Sequence, residues 1–364
     1  MATTEQDVET ALTGDPQGPW DVTDAELLRW YRTMVTSRRI DDREMALKRQ
    51  NKIFFQISGA GHEGIQVALA PHLRSGSDWF FLYYRDRSLA LELGQTPLDH
   101  FLQGVGAAAD PNGGGRQMPS HFSDPRYNIA NTSSPTGTQF LQAVGAAEFV
   151  HRVRRIEEAQ AIVGVPAPDE IVVVCGGDGT TSEGEFFEAI SSACTLSLPV
   201  LFLIEDNGYA ISVPVEVQTP GGSISKVVSG FPGLEIFECD GCDVLESHRV
   251  SGQAVRHVRS GKGPALLHAH VTRPYSHSMS DDERTYRTTA ERDADAARDP
   301  LVLTRALVIA RGAATDEQLE ALERQIEAEV AAAADEALTY PQPAPETAMR
   351  HLFSEEVDPT GPAF

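Results

Sequence analysis

The sequence predicts an α/β protein: a mostly parallel sheet flanked by helices, with helical N- and C-terminal extensions. Three observations predict this class. Two continuous apolar runs, Ile171 to Cys175 and Val200 to Ile204, lack alternation, as strands buried on both faces do. Between them Phe186, Phe187, Ile190 and Cys194 recur at helical spacing, so the unit reads strand, helix, strand. Two further apolar runs, Leu234 to Cys239 and Ala265 to Val271, fit the same sheet. A chain of 364 residues is long enough for one large α/β domain, or two ordinary ones, with an ample core.

Composition narrows the function. The chain carries 53 acidic and 30 basic residues, a net charge of -23. That balance argues against nucleic acid, whose phosphates need a basic footprint. It leaves room for an anionic cofactor, because a few local cations and a metal outweigh the global field. Apolar runs are too short to span a bilayer, and a basic region followed by an apolar stretch is missing from the N-terminus. A soluble, cytoplasmic protein that binds no membrane is expected. Cys175 and Cys194 fall in the predicted strand and helix, where packing explains them. Cys239 and Cys242 form a lone C-x-x-C without the second pair or the histidines of a zinc site, and are read as structural.

Taken in order, residues 1–20 read as a flexible acidic tail. Thr23 to Glu26 is a capping box, and Leu27, Leu28, Tyr31, Met34 and Val35 mark one face of a helix running past Arg38. Ile53 to Gly64 is broken by glycines and precedes a helix from Ile65 to Leu73. There Glu63 reads as a carboxylate favoured by the helix dipole, and His62 as a candidate acid–base histidine. Trp79 to Arg87 runs from an apolar strand into Tyr84, Arg85 and Asp86. A strand-end arginine suits bidentate phosphate recognition, although alone it is more often an ion-pair partner. Asp110 to about residue 132 is a long Gly- and Pro-rich loop, of the length that is functional or disordered. Asn131 to Gln139 is dense in hydroxyl and carbonyl oxygens and leads into a small-residue helix, Gln142 to Val150. Arg273 to Arg287 reads as a loop at the strand-end edge. From 301 to 340 the chain is acidic and helical, with Leu319, Leu322, Ile326 and Val330 on a face suited to docking on a subunit. Residues 341–364 read as a Pro-rich tail, leaving 21–300 as the main domain.

The chemistry gathers at the central unit. Gly176 and Gly177 permit a tight turn, Asp178 follows, and Gly179 leaves room for close approach. The next strand ends in Glu205, Asp206 and Asn207. Oxygen donors thus stand at the carboxyl ends of two strands, the edge where open parallel sheets bind ligands. Magnesium prefers such donors and completes its shell with water and substrate phosphates. Asp178, Asn207 and the Tyr209 carbonyl are the candidate ligands. A Gly-Asp-Gly alone often marks only a turn; combined with the downstream Asn-Gly-Tyr it is specific.

Together these residues resemble the α subunit of the thiamin diphosphate-dependent decarboxylating component of 2-oxo acid dehydrogenase complexes. GHEG, YYRD, GGRQMP, SSPTGTQFLQAVGAA, GDGTTSEG, NGYAIS and HSMSDD follow the family's order from about residue 25 to about 290, and GRQMP with SSPTGTQ resembles its branched-chain group. The resemblance implies the thiamin diphosphate-binding fold and magnesium on Asp178, Asn207 and Tyr209. It implies cofactor contacts from Tyr84, Arg85, Gly179, Thr180 and His277, with Ser134 and Thr136 nearby. Ser133, the Pro135 carbonyl, Thr138 and Gln139 match a potassium-binding loop. His277 is implied to be catalytic, binding diphosphate and relaying protons. Glu205 and Asp206 stand where some branched-chain members have a basic residue and an Asn, which removes one diphosphate contact. Ser278 and Ser280 match regulatory phosphorylation positions in mitochondrial relatives.

The implied activity is oxidative decarboxylation of a 2-oxo acid, such as 2-oxoisovalerate, with the acyl group passed to the lipoyl group of an acyltransferase component. The implied partner is a beta subunit, in an α2β2 heterotetramer, which supplies the pyrimidine-binding half and its glutamate. Pyruvate or acetoin is the alternative substrate; Phe54, Phe55 and Ile57 do not fix the acyl chain. A Mg-dependent nucleotide-binding protein, or a non-catalytic assembly subunit, is the alternative of another class, although no G-x-x-x-x-G-K-[ST] occurs.

Overall fold

The computed structural model describes residues 21–352. The tail expected at 1–20 and the last part of the Pro-rich tail, 353–364, lie outside the described residues. Helix α1 (Asp24–Arg49) leads into α2 (Glu63–Leu69), strand β1 (Trp79–Phe81), α3 (Arg87–Leu93) and α4 (Pro97–Val105). A long loop precedes α5 (Thr138–Val153) and α6 (Glu157–Val163). The central unit is β2 (Val172–Gly177), α7 (Gly184–Leu196) and β3 (Val200–Asp206). The small hairpin β4 (Tyr209–Ala210) and β5 (Val213–Pro214) follows, then α8 (Val215–Gln218) and α9 (Ile224–Val228). The chain continues through β6 (Glu235–Asp240), α10 (Val244–Arg259) and β7 (Ala265–His270) to α11 (Thr289–Ala297), α12 (Pro300–Ala310) and α13 (Asp316–Ala337).

The sheet has five strands in the order β1-β2-β3-β7-β6, and each pairing is parallel. Its central strands are buried from end to end, as runs covered by helices on both faces require. Successive side chains alternate between two cores. Val173, Cys175, Leu201 and Leu203 join Ile65, Leu89 and Val255 on the face covered by α2, α3 and α10. Val172, Val174, Phe202 and Ile204 join Phe140, Phe186 and Ile190 on the face covered by α5 and α7. A third core gathers Trp30, Met34, Phe101, Leu319, Ile326 and Val330 from α1, α4 and α13.

The strands run further than their apolar stretches. β2 continues through Gly176 and Gly177, and β3 through Glu205 and Asp206, because the ladder still pairs Gly176 with Ile204 and Gly177 with Glu205. α5 begins at Thr138, four residues before the expected start. α2 stops at Leu69, and a 3-10 turn carries the chain through Pro71 to His72, where proline cannot continue the helix. The apolar face of α13, expected to dock on a subunit, is instead spent on this chain's own α1 and α4: Leu319, Ile326 and Val330 are buried there.

Two features tie the helical layer to the strand-end edge. Gly61 has φ +90, and a Cβ there would lie 2.1 Å from the Thr272 carbonyl oxygen, so only glycine lets this turn meet the segment after β7. Beside it Arg38 is buried with two carboxylates, bonding Asp299 through both terminal nitrogens (2.8 and 3.0 Å) and Glu63 through Nε (2.9 Å). Glu63 also accepts from the Gly61 amide (2.6 Å), so it is committed to structure rather than to chemistry. Removing the cation would leave two buried carboxylates uncompensated. Arg38→Ala is expected to lower the unfolding free energy by about 3–5 kcal/mol, measured by urea denaturation of the full chain.

Candidate active site

The site forms where β2 and β3 end side by side. Asp178 starts the turn after β2, and its backbone carbonyl is held by Thr181 Oγ1 and Gln218 Nε2, each at 2.7 Å. A Cβ on Gly179 would lie 2.9 Å from the Ala210 Cβ; this close approach brings the Gly-Asp-Gly turn against the Asn-Gly-Tyr-Ala segment. The Asp178 carboxylate is almost fully buried, and its Oδ2 has no hydrogen-bond partner. Burial, and then Asp206, push its carboxyl up to about 7, against opposing pulls from Arg273 and Arg85. An orphaned buried carboxylate oxygen at a strand tip is what a divalent cation would satisfy.

Two guanidinium groups face this carboxylate from other parts of the chain. Arg85 is buried, donating through Nη1 to the Ser58 carbonyl (2.5 Å) and through Nη2 to His277 Nδ1 (3.0 Å). The Tyr84 ring lies against both groups, its centroid 5.0 Å from the Arg85 guanidinium carbon and 6.2 Å from the His277 centroid. Tyr84, Arg85 and His277 are therefore brought together. Arg273, left unassigned by the sequence reading, is the second cation. It is buried, bonds Ile211 O (3.0 Å) and Tyr286 Oη (2.9 Å), and leaves Nε and Nη1 without partners. Among the described residues neither Arg85 nor Arg273 forms a salt bridge with a carboxylate. Two buried cations without counter-ions make an anion site.

His277 answers to that field. Its burial, then Arg85 and Arg273, push its imidazole down to about 4. The ring is neutral at physiological pH, and because Nδ1 accepts from Arg85, the proton sits on Nε2.

The hydroxyl-rich loop makes the opposite wall. Tyr84, His121, Thr132, Ser134, Thr136 and Thr180 line one cavity. Ser134 Oγ bonds His121 Nε2 (2.9 Å), which places His121, a residue of the long Gly- and Pro-rich loop, in this wall. The four residues of the expected cation loop stand close together. Ser133 Oγ lies 2.6 Å from Thr138 Oγ1, which donates to the Pro135 carbonyl (3.0 Å), while Gln139 Nε2 bonds Cys175 O (3.1 Å).

Glu205 makes its side-chain hydrogen bonds with His62 and Gln66. It is fully buried, with Oε2 2.6 Å from His62 Nδ1 and both oxygens bonded by Gln66 Nε2 (3.2 and 3.1 Å). Burial drives its carboxyl well up and the His62 imidazole well down, so charge on either group is disfavoured. His62 touches the site through Asn207, whose Nδ2 lies 3.2 Å from its Nε2, and the Arg85 and Arg273 charges add to burial in lowering its imidazole. Cys239 and Cys242 are free, buried thiols, pushed up by burial, with no part in the site.

The model of the dehydrogenase E1 component family matches residues 31–346. The chain belongs to that family. Among E1 relatives it is 36% identical over 336 residues to the Bacillus subtilis 2-oxoisovalerate dehydrogenase subunit alpha, covering 92% of this chain and 97% of that one. It is 35% identical over 280 residues to the Mycobacterium tuberculosis (H37Rv) 3-methyl-2-oxobutanoate dehydrogenase subunit alpha, covering 76% and 69%. To the mouse mitochondrial 2-oxoisovalerate dehydrogenase subunit alpha it is 31% identical over 343 residues, covering 94% and 73%. No helix among the described residues of this E1 chain is long and apolar enough to cross a membrane.

A titration follows from Asp178. Its folded carboxyl lies above the ordinary value of 3.8, so its neutral form favours folding. That contribution is complete below the ordinary value and is lost as pH rises through about 7. Coordination needs the carboxylate, so a cation must displace this proton in acid. A divalent cation held by Asp178 would therefore bind more weakly as pH falls below about 7, approaching roughly tenfold per unit; calorimetry with Mg2+ and thiamin diphosphate checks this.

Proposed function

We propose that this E1 chain is the alpha subunit of a branched-chain 2-oxo acid dehydrogenase. It would catalyse oxidative decarboxylation of an acid such as 2-oxoisovalerate and pass the acyl group to the lipoyl group of an acyltransferase component. The proposed cofactors are thiamin diphosphate, Mg2+ and K+, and the partner is a beta subunit in an α2β2 assembly. The observation that carries this reading is the orphaned Asp178 Oδ2 facing two buried, carboxylate-free arginines, in a chain of this family.

The residues present fit a metal–diphosphate group. Asp178, Asn207 and the Tyr209 carbonyl would hold the magnesium. Tyr84, Arg85, Gly179, Thr180 and His277 would surround the diphosphate, with Arg273 adding charge behind them. Ser134 and Thr136 would touch the cofactor from the hydroxyl-rich wall. Ser133, the Pro135 carbonyl, Thr138 and Gln139 would hold the potassium ion, which their clustered oxygens suit. Bound thiamin diphosphate supplies the carbon nucleophile and the electron sink that decarboxylation requires.

The protein's own contribution is charge and proton placement. Arg85 and Arg273 are held in place before any anion arrives, so little reorganisation accompanies binding. His277 keeps a proton on Nε2, and an anion against Arg85 and Arg273 would offset the two charges that depress it. The ring would then titrate nearer neutrality, where a proton relay is most effective.

Asp178→Ala is expected to weaken magnesium-dependent thiamin diphosphate binding by roughly a hundredfold or more while leaving the fold intact; calorimetry and circular dichroism check both. His277→Ala is expected to lose about a hundredfold in reductive acylation of a lipoyl domain, with a smaller loss of cofactor affinity. Substrate choice is checked with the beta partner by comparing 2-oxoisovalerate with pyruvate. A higher kcat/KM for 2-oxoisovalerate is expected; preference for pyruvate would reassign the chain within the family.

A further inference from the structure

The edge of the sheet carries a second group of metal-ligating side chains, beyond the proposed magnesium ligands. Asp206 closes β3, and His268 and His270 lie two residues apart on the neighbouring β7, so their side chains share one face. The register places Asp206 directly opposite His270. One carboxylate oxygen and one nitrogen from each ring all lie within 4.8 Å of one another. The rings stand 4.3 Å apart, centroid to centroid, at 47°. His268 is buried, whereas the His270 side chain is 48% exposed, so the group is anchored inside and open outside.

The polar atoms around His268 converge. Ser225 Oγ lies 2.7 Å from His268 Nδ1, and His268 Nε2 lies 3.0 Å from Asp206 Oδ2. Asp206 Oδ1 accepts from the Gly208 amide (2.8 Å). His268 Nε2 and Asp206 Oδ2 therefore face one point, with a nitrogen of His270 within reach of both. A metal-bound histidine typically has its other ring nitrogen fixed by a hydrogen bond, as Ser225 fixes Nδ1 here. Glu238 Oε2, 3.7 Å from His270 Nε2, is the outer carboxylate.

We propose that Asp206, His268 and His270 form a binding site for a divalent transition-metal ion of the zinc class, separate from the site that takes magnesium. Two imidazoles and one carboxylate suit zinc and disfavour magnesium. Three protein ligands leave one position for water. A bound ion would clamp β3 to β7 at the point where β3 passes into Asn207.

Zinc titration of the full chain in excess Mg2+, followed by calorimetry, tests this, with Co2+ absorption as the spectroscopic probe. One zinc per chain is expected, with cobalt bands that report nitrogen ligation. His270→Ala changes a half-exposed side chain outside the cofactor machinery, and it is expected to weaken zinc binding by at least about tenfold. Asp178→Ala is expected to leave zinc binding unchanged. Absence of saturable zinc binding would overturn the proposal. So would zinc binding that survives His270→Ala but is lost in Asp178→Ala, because the ion would then occupy the cofactor site. The assigned function does not depend on either result.

Discussion

The register of β2 against β3 is the constraint on which the site depends. Gly177 lies opposite Glu205, so the two strands end within one residue of each other and deliver Asp178 and Asn207 to adjoining tips. A parallel sheet buried on both faces cannot shift that register by one residue without exchanging the two faces of one strand. Val172 and Val174 would have to trade cores with Val173 and Cys175, or Phe202 and Ile204 with Leu201 and Leu203. Hydrophobic packing far from the edge thus fixes the separation of polar groups at the edge.

The second determinant is electrostatic. The strand tips carry the Asp178 and Asp206 carboxylates, and the loops above them carry Arg85 and Arg273 with no salt-bridge partner among the described residues. The charges of each sign are buried, yet the chain does not pair them with one another at hydrogen-bond distance. Burying unpaired charge is costly, and the depressed His277 and elevated Asp178 are two responses to that cost. A metal ion would complement the carboxylates, and a diphosphate the guanidinium groups. Beside them His62 and Glu205 bond each other at 2.6 Å, and burial disfavours charge on either group. The departure at Glu205 from the basic residue of some branched-chain members is therefore accommodated by His62 and Gln66.

Much of this organisation was legible in the sequence because it rests on local signals. The Thr23–Glu26 capping box, the apolar strands and the glycines around Asp178 each act within a few residues, and the helices and strands lie where those signals stand. Element ends were less legible. Gly176 to Gly177 and Glu205 to Asp206 look like loop in sequence but stay in the ladder, since backbone pairing ignores side-chain polarity. What required the structure was long-range. Arg273 and His121 carry no local mark of function; they matter because folding sets one beside Arg85 and the other against Ser134. The apolar face of α13 was visible, but its partner, α1, begins nearly three hundred residues earlier in the chain.

The central claim is that the two strand tips jointly hold one metal–diphosphate group. It is tested most directly by a crystal structure of the chain with its beta partner, grown with thiamin diphosphate and Mn2+ in place of Mg2+, and by the anomalous difference map. The account predicts a manganese peak within coordination distance of both Asp178 and Asn207, with the diphosphate against Arg85 and His277. A manganese peak and cofactor lodged away from those tips would contradict it.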